Sequence, residues 1–391
     1  MRLRHPDGST VHLAYCTNVH PAEDLDGILA QLARYAEPVR RTLGADRLGL
    51  GLWLAADAAA ALAADPAALG RLRTDLAARG LEVVTLNGFP YRGFHDPVVK
   101  HAVYRPDWTT SDRLRYTLDL ARVLAALLPE DADQGSVSTL PLAWRTPWEE
   151  GHRDAAARGL DRLAAGLAEI ADRTGRTVRV GLEPEPGCVV ETTTEAARHL
   201  AGVDTDRIGI CLDACHLAVG FEDPAEALAR LDAAALPVVK TQASCALQAR
   251  DPADPATRAA LAAFAEPRFL HQVREAAAPG QAPQAVDDLD EALAGGLPGR
   301  RPWRVHFHAP LHADPAPPLT TTRPQLEATL AALLGGDHPR TTHVEVETYT
   351  WGVLPADRRP EGPAALVDGI AAELAWTRDQ LLALGLKEPA L

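Results

Sequence analysis

The sequence predicts an α/β fold closed as a (β/α)8 TIM barrel, and three observations carry that expectation. The chain alternates short, β-prone apolar runs with longer Ala/Leu/Arg segments at helical spacing. Of its 391 residues 47% are hydrophobic but only 5% aromatic, a composition of helix-rich α/β proteins. Carboxylates close two successive strand-like runs at positions 183 and 213, one βα unit apart. A single domain spanning 1–391 is expected, because a barrel with insertions reaches this length.

The first strand is read at Leu13–Val19 and its helix at Pro21–Leu43, ended by Gly44. A second strand, Leu48–Leu54, precedes an Ala-rich helix from about Asp57 to Arg79 with a Gly80 stop. The third strand, Glu82–Asn87, runs into an irregular segment that reaches Trp108. Long connections without regular structure are usually functional. Arg92, His95 and Trp108 are therefore expected to wall or cover a site, with Asn87 at the strand end beside them. A helix at Thr110–Leu128, a fourth strand at Gly135–Pro141 and a helix from about Pro147 to Thr174 follow.

The fifth strand ends in Val180-Gly-Leu-Glu-Pro-Glu-Pro-Gly187, where two prolines and a glycine stop regular pairing just after Glu183 and Glu185 appear on one face. Carboxylates at the mouth of a buried strand are costly unless a metal ion or a cationic group compensates them. Taken alone they read equally well as helix caps or partners of a surface Arg. The sixth strand, Ile208–Asp213, is followed by His216, so that Asp213 and His216 face the same mouth. Carboxylates from two neighbouring strands with an added imidazole form a hard-cation arrangement.

Nine strand-like runs compete for eight places. The preferred reading makes 238–243, with Lys240 and Gln242, the seventh strand and 342–348, with Glu345 and Glu347, the eighth. The segment at about 244–340 then becomes an insertion in the C-terminal half that carries Val305-His-Phe-His308 across the mouth. In the alternative, 303–309 is itself a barrel strand. The Pro- and Ala-rich stretches 276–302 and 309–318 read as loose excursions.

A formal net charge of −14 argues against a nucleic-acid surface, whose affinity comes from Lys and Arg neutralising phosphates. Five scattered cysteines without paired spacing predict neither a disulfide framework nor a thiolate zinc site, and so a reducing, cytoplasmic setting. No signal-peptide core and no membrane span are read in the chain.

Leu-Glu-Pro at one strand end, Leu-Asp-Ala-Cys-His at the next and Val344-Glu-Val-Glu-Thr-Tyr349 resemble the xylose isomerase-like TIM barrels, sugar isomerases and epimerases with a divalent metal. Longer runs, including Leu13-Ala-Tyr-Cys-Thr-Asn-Val-His20, Lys240-Thr-Gln-Ala-Ser244, Trp303-Arg-Val-His-Phe-His308 and His343-Val-Glu-Val-Glu-Thr-Tyr-Thr-Trp351, resemble the EboE barrels. These are encoded in gene clusters linked to secondary-metabolite traffic. The resemblance implies Glu183, Asp213 and Glu347 as ligands of a divalent ion (Mn, Zn, Mg or Co), with His216 touching substrate. Lys240 stands where the family usually places a histidine ligand, and an ammonium is a poor ligand. His306 is expected to supply the missing imidazole.

The function expected first is a metal-dependent isomerase or epimerase acting on a small polyhydroxylated or carbonyl metabolite. Glu185 or Glu345 would act as base, Lys240 would join the catalytic groups, and Asn87, His95, Trp108, His216, Gln242 and His308 would bind substrate. The alternative is a non-catalytic metabolite carrier that keeps the pocket; a metal-dependent hydrolase ranks lower. Proteins of the same gene cluster are expected partners, and the oligomeric state is open.

Overall fold

The β-prone runs become eight parallel strands in the computed structural model, which describes residues 1–278 and 280–388. They are β1 (Thr10–Cys16), β2 (Leu48–Trp53), β3 (Leu81–Asn87), β4 (Gly135–Thr139), β5 (Val178–Leu182), β6 (Ile208–Asp213), β7 (Val238–Ala243) and β8 (His343–Val346). Each pairs with the next, and β8 returns to β1 with His343 opposite His12 and Val346 opposite Tyr15. The barrel is therefore closed, and its only added edge is Arg2–Arg4, hydrogen-bonded antiparallel to the start of β1 among the described residues. That pairing draws β1 toward the N-terminus relative to the expected 13–19, and Thr17–Val19 forms a helical turn instead.

The expected helix over 57–79 is two helices, Ala56–Ala64 and Pro66–Ala78. Pro66 lacks the N–H that would continue the first, and the Asp65 carboxylate caps the second by accepting from the Ala67 amide. The long helix Glu150–Thr174 ends at Gly175 in the left-handed region and buries Leu160, Leu163, Leu167 and Ile170 along one stripe. Each such leucine stabilises the shell by roughly 1.5–3 kcal/mol relative to an exposed one. No helix among the described residues is long and apolar enough to cross a membrane.

Val238–Ala243 is the seventh barrel strand, bonded to both β6 and β8. Trp303–Val305 lies instead in a second, five-stranded antiparallel sheet with Leu247–Ala249, Val273–Glu275, Gln284–Val286 and Thr320–Thr321. This sheet follows β7 and leads into the helix Arg323–Leu334 and β8. Trp303 is pinned by its indole N–H to Glu275 (2.8 Å), and Arg304 reaches the Ala218 carbonyl beyond β6 (2.7 Å). These anchors lay His306–His308 across the C-terminal mouth.

Barrels of this kind usually fill their interior with branched apolar side chains; this one is polar through its depth. Near the N-terminal end Arg2 pairs with Glu82 at 2.7 Å, and Ser136 bridges Thr85 and His343. Above them Lys240 and Glu345, both fully buried, form an ion pair at 2.5 Å. The uppermost layer brings Glu183, Asp213 and Glu347 together.

Candidate metal centre

The two prolines after β5 deny backbone donors to a neighbouring strand, so the chain turns with Glu183 held by its N–H to the Thr139 carbonyl and Glu185 by its N–H to Val190. Gly187 completes the turn at φ +89°, and a Cβ there would lie 2.3 Å from Trp144. Both glutamates are buried.

Asp213 caps the helix Ala214–Val219, so the plain helix-cap reading is part of the truth. Its Oδ1 accepts from the His216 amide (2.8 Å) and the Ser244 hydroxyl (2.9 Å). The other oxygen, Oδ2, has no protein partner, and neither has Glu183 Oε2. Glu347 Oε1 accepts from the side-chain amides of Asn18 (2.8 Å) and Asn87 (2.7 Å), which fix that carboxylate at the mouth. Ligand atoms of Glu183, Asp213 and Glu347 lie within 4.8 Å of one another.

Burial, followed by the charges of Glu347, Asp213 and Glu185, holds Glu183 well above the usual carboxylate range. Burial, followed by Asp213 and Glu345, does the same to Glu347. Three buried carboxylates meeting with unpartnered oxygens fit a divalent cation, which would offset both their desolvation and their repulsion.

Beside this cluster stand the imidazoles of His216, whose Nδ1 lies 3.7 Å from Glu183 Oε1, and of His308. His308 Nδ1 lies 2.7 Å from the Glu347 carbonyl, which can only accept, so the proton is on Nδ1 and Nε2 carries the lone pair. That Nε2 is buried and unpartnered, and His308 groups with Asp213 and His216. His306, the imidazole expected among the ligands, groups with Glu185 and His216 and also with Cys215 and His308. The register of the two histidines follows from the Trp303–Val305 pairing, which a sequence does not print.

A cavity of about 50 Å³ opens over the cluster. Asn18, Asn87, Lys100, Glu183, Glu185, His216, His306, His308 and Glu347 form its polar part, and Phe89, Phe94, Tyr104, Phe269 and Tyr349 contribute aromatic walls. Glu185 is its remaining carboxylate outside the cluster: Oε1 accepts from the Tyr104 hydroxyl at 2.9 Å, and burial holds the group well above the usual range. Tyr104 in turn accepts from Gln272 at 2.8 Å.

Several expected site residues lie elsewhere. Glu345 and Lys240 are not on the cavity wall; they occupy the layer below, where each consumes the other's charge. Gln242 is buried beside Cys211 in the same layer. Trp108 does not cover the mouth: its indole N–H bonds the Leu140 carbonyl at 2.9 Å and its ring is buried in the core. His95 reaches the Asn18 carbonyl at 2.7 Å from behind, and Arg92 is exposed. Asn18, Gln272 and Tyr349 were not singled out in the sequence. Only Asn18 had a usable signal, as a polar residue just past a strand end.

A family model described as xylose isomerase-like TIM barrel matches residues 41–246. Among solved structures, D-allulose 3-epimerase from Methylomonas sp. is similar at 12% identity and a TM-score of 0.53, over 95% of this chain and 98% of that one. A xylose isomerase-like TIM barrel protein from Mycobacterium smegmatis, solved in complex with magnesium, is similar at 15% identity and a TM-score of 0.50, over 95% and 98%. No curated protein matches the chain. At these identities the structures speak for the fold.

Proposed function

This chain belongs to the xylose isomerase-like TIM barrel family, and on that premise we propose that it is a divalent-metal-dependent isomerase or epimerase acting on a small hydroxy-carbonyl metabolite. The observation that carries this reading is the set of unpartnered, buried ligand atoms, Glu183 Oε2, Asp213 Oδ2 and His308 Nε2; Asp213 groups with Glu183 and Glu347, and Glu183, Glu347 and His308 line one cavity. Glu183, Asp213, Glu347 and His308 would hold the ion (Mn, Zn, Mg or Co). When bound, such an ion polarises a substrate's vicinal oxygens as a Lewis acid and so acidifies the adjacent C–H.

The chain's own groups supply the rest. Glu185 takes the proton from that carbon, its basicity raised by burial and its orientation set by Tyr104. Asn18 and Asn87 keep Glu347 from rotating, and the Glu347 carbonyl keeps His308 in the tautomer that presents a lone pair. The aromatic walls exclude water from the reacting carbon. The epimerase among the similar structures supports the reaction class, and the magnesium complex supports a hard divalent ion.

The longer runs that resemble EboE point to a substrate in secondary-metabolite processing or traffic, handled in the cytoplasm with proteins of the same cluster. A carrier role without chemistry would follow from an incomplete ligand set, since Lys240 stands where the family usually places a histidine ligand; His308, an imidazole offered from another segment, weakens it.

The test is metal content of protein purified without chelators or a metal-binding tag, followed by exchange of the substrate α-proton into deuterated water over a panel of ketoses and hydroxyketones. The proposal expects retained divalent metal and exchange that chelation abolishes and Glu185→Gln slows by about 100-fold or more. Retained metal with no exchange on any panel member would favour the carrier role; no metal affinity in the wild type would overturn the reading.

A further inference from the structure

We infer that Gln272, on the approach to the second sheet, is a positioning residue for proton transfer in the cavity: it fixes the direction of the Tyr104 hydroxyl and, through it, the Glu185 carboxylate. The inference deepens the proposed function, since it rests on Glu185 as the proton acceptor.

Separate parts of the chain meet on this one side chain. Gln272 is fully buried just before the strand Val273–Glu275, and its backbone carbonyl accepts from the His306 amide at 2.8 Å. Its side-chain Nε2 donates to the Tyr104 hydroxyl and to the Pro186 carbonyl, both at 2.8 Å. Its Oε1 faces His306 Nδ1 at 2.8 Å. A carbonyl only accepts, so the contact with Pro186 decides which end of the amide is the nitrogen.

That assignment orients the hydroxyl as well. An amide nitrogen carries two hydrogens; one goes to Pro186 and the other to Tyr104. The Tyr104 oxygen therefore accepts from Gln272, and its single hydrogen is left for Glu185 Oε1, 2.9 Å away. The ring is held too, buried against Phe89 and Trp144 with centroids 6.1 and 4.7 Å from theirs.

Among the described residues Tyr104 is the donor to the Glu185 side chain. His216 Nε2 stands 3.0 Å from Glu185 Oε2, but the hydrogen of its neutral ring is on Nδ1, facing the Pro184 carbonyl at 3.0 Å. Oε1 is thus occupied, and Oε2 is left to accept the substrate proton. A reacting group has to be held within about 0.5 Å of its productive geometry by neighbours that are themselves locked. Gln272 is locked, because both ends of its amide are bonded. Without it the Tyr104 hydrogen is free to rotate away, and the carboxylate loses its fixed orientation.

The experiment is a double-variant cycle of Gln272→Met and Tyr104→Phe in the full-length, metal-loaded protein. It is read as α-proton exchange into deuterated water at saturating concentration of the panel ketose that exchanges fastest. Alone, Gln272→Met should lower kcat by about 10-fold or more with KM and metal content little changed, since misplacing a reacting group costs up to about 100-fold. In the Tyr104→Phe background the same substitution should cost no more than about twofold, because the hydroxyl through which it acts is gone. Effects that multiply would mean that Gln272 acts through Pro186 or His306 and would overturn the inference.

A readout free of catalysis is the tyrosine Raman doublet, whose intensity ratio reports whether a phenol hydroxyl donates or accepts. The difference between wild type and Tyr104→Phe should show a hydroxyl that does both, and Gln272→Met should remove the accepting part. A Tyr104 signal unchanged by Gln272→Met overturns the inference. Should that variant fail to fold, the wild-type difference decides: a hydroxyl that donates and accepts supports the inference, and one that only accepts refutes it. Exchange absent from the wild type on every panel member would overturn the proposed function and this role with it, whereas multiplying effects in an exchanging wild type overturn the role of Gln272 alone.

Discussion

Gly51 on β2 and Glu345 on β8 compete for the same space inside the barrel. A Cβ built on Gly51 would lie 1.3 Å from Glu345 Oε1. The absent side chain of one residue is thus what admits the carboxylate of the other, and with it the partner of Lys240. Gly51→Ala must displace that carboxylate. The cost combines overpacking, about 1–3 kcal/mol, with disruption of a buried ion pair, about 3–5 kcal/mol when one partner is lost. Urea unfolding should register a loss above about 3 kcal/mol or no folded protein; a loss below about 1 kcal/mol would mean that the carboxylate has room elsewhere.

Lys240 is predicted to be structural and not a ligand-binding group. Lys240→Met should destabilise by about 3–5 kcal/mol, because it strands the Glu345 carboxylate in a dry interior. The double variant Lys240→Met with Glu345→Leu should recover most of that loss, since apolar replacement of a whole buried pair is often neutral or better. Metal content of the double variant should match the wild type. A double variant that folds well but binds no metal would place the pair in the metal site after all.

The barrel was legible because its strands are long enough to show their character. Val238–Ala243 and Ile208–Asp213 span six residues each, and Asp213 at the end of the latter stands in register with Gln242 of the former. The second sheet was not legible. Leu247–Ala249, Val273–Glu275 and Gln284–Val286 have three residues each, too few for a period to appear. Their pairing decides which histidine of His-Phe-His reaches the acids, so the ligand set could be narrowed in sequence to two imidazoles and no further. Trp108 misled for a related reason: an aromatic residue at the end of a long loop has the same sequence signature whether it covers a site or fills the core.

Trp108 tests that distinction. Trp108→Phe should lower stability by about 1–3 kcal/mol, since the Leu140 carbonyl loses its donor in a buried position. Metal stoichiometry and ligand affinity should remain unchanged. Weakened ligand binding with an unaltered melting temperature would return Trp108 to the cavity.

Glu373 offers a pH test away from the metal centre. It lies on the helix Gly362–Ala383, 1% exposed, and accepts from the Leu311 amide (3.0 Å), the Thr348 hydroxyl (2.7 Å) and the Trp351 indole (3.3 Å). These donors favour the charged form, but burial is the larger effect and pushes the carboxyl up to about 7 from 4.5. The sign follows from proton linkage. A group whose pKa is higher in the folded state stabilises that state fully below its unfolded value, here about 4.5. The contribution fades as pH rises to about 7 and is gone above it, a change on the order of 3 kcal/mol. Buried histidines such as His20, lowered by burial to about 3, act in the opposite sense, because the unfolded chain takes up their protons in acid. The difference between wild type and Glu373→Gln at each pH cancels them. That difference should shift in favour of the variant between pH 4.5 and 7 and then level off. Unfolding curves in which it stays flat across the window would show that Glu373 is already ionised in the folded protein.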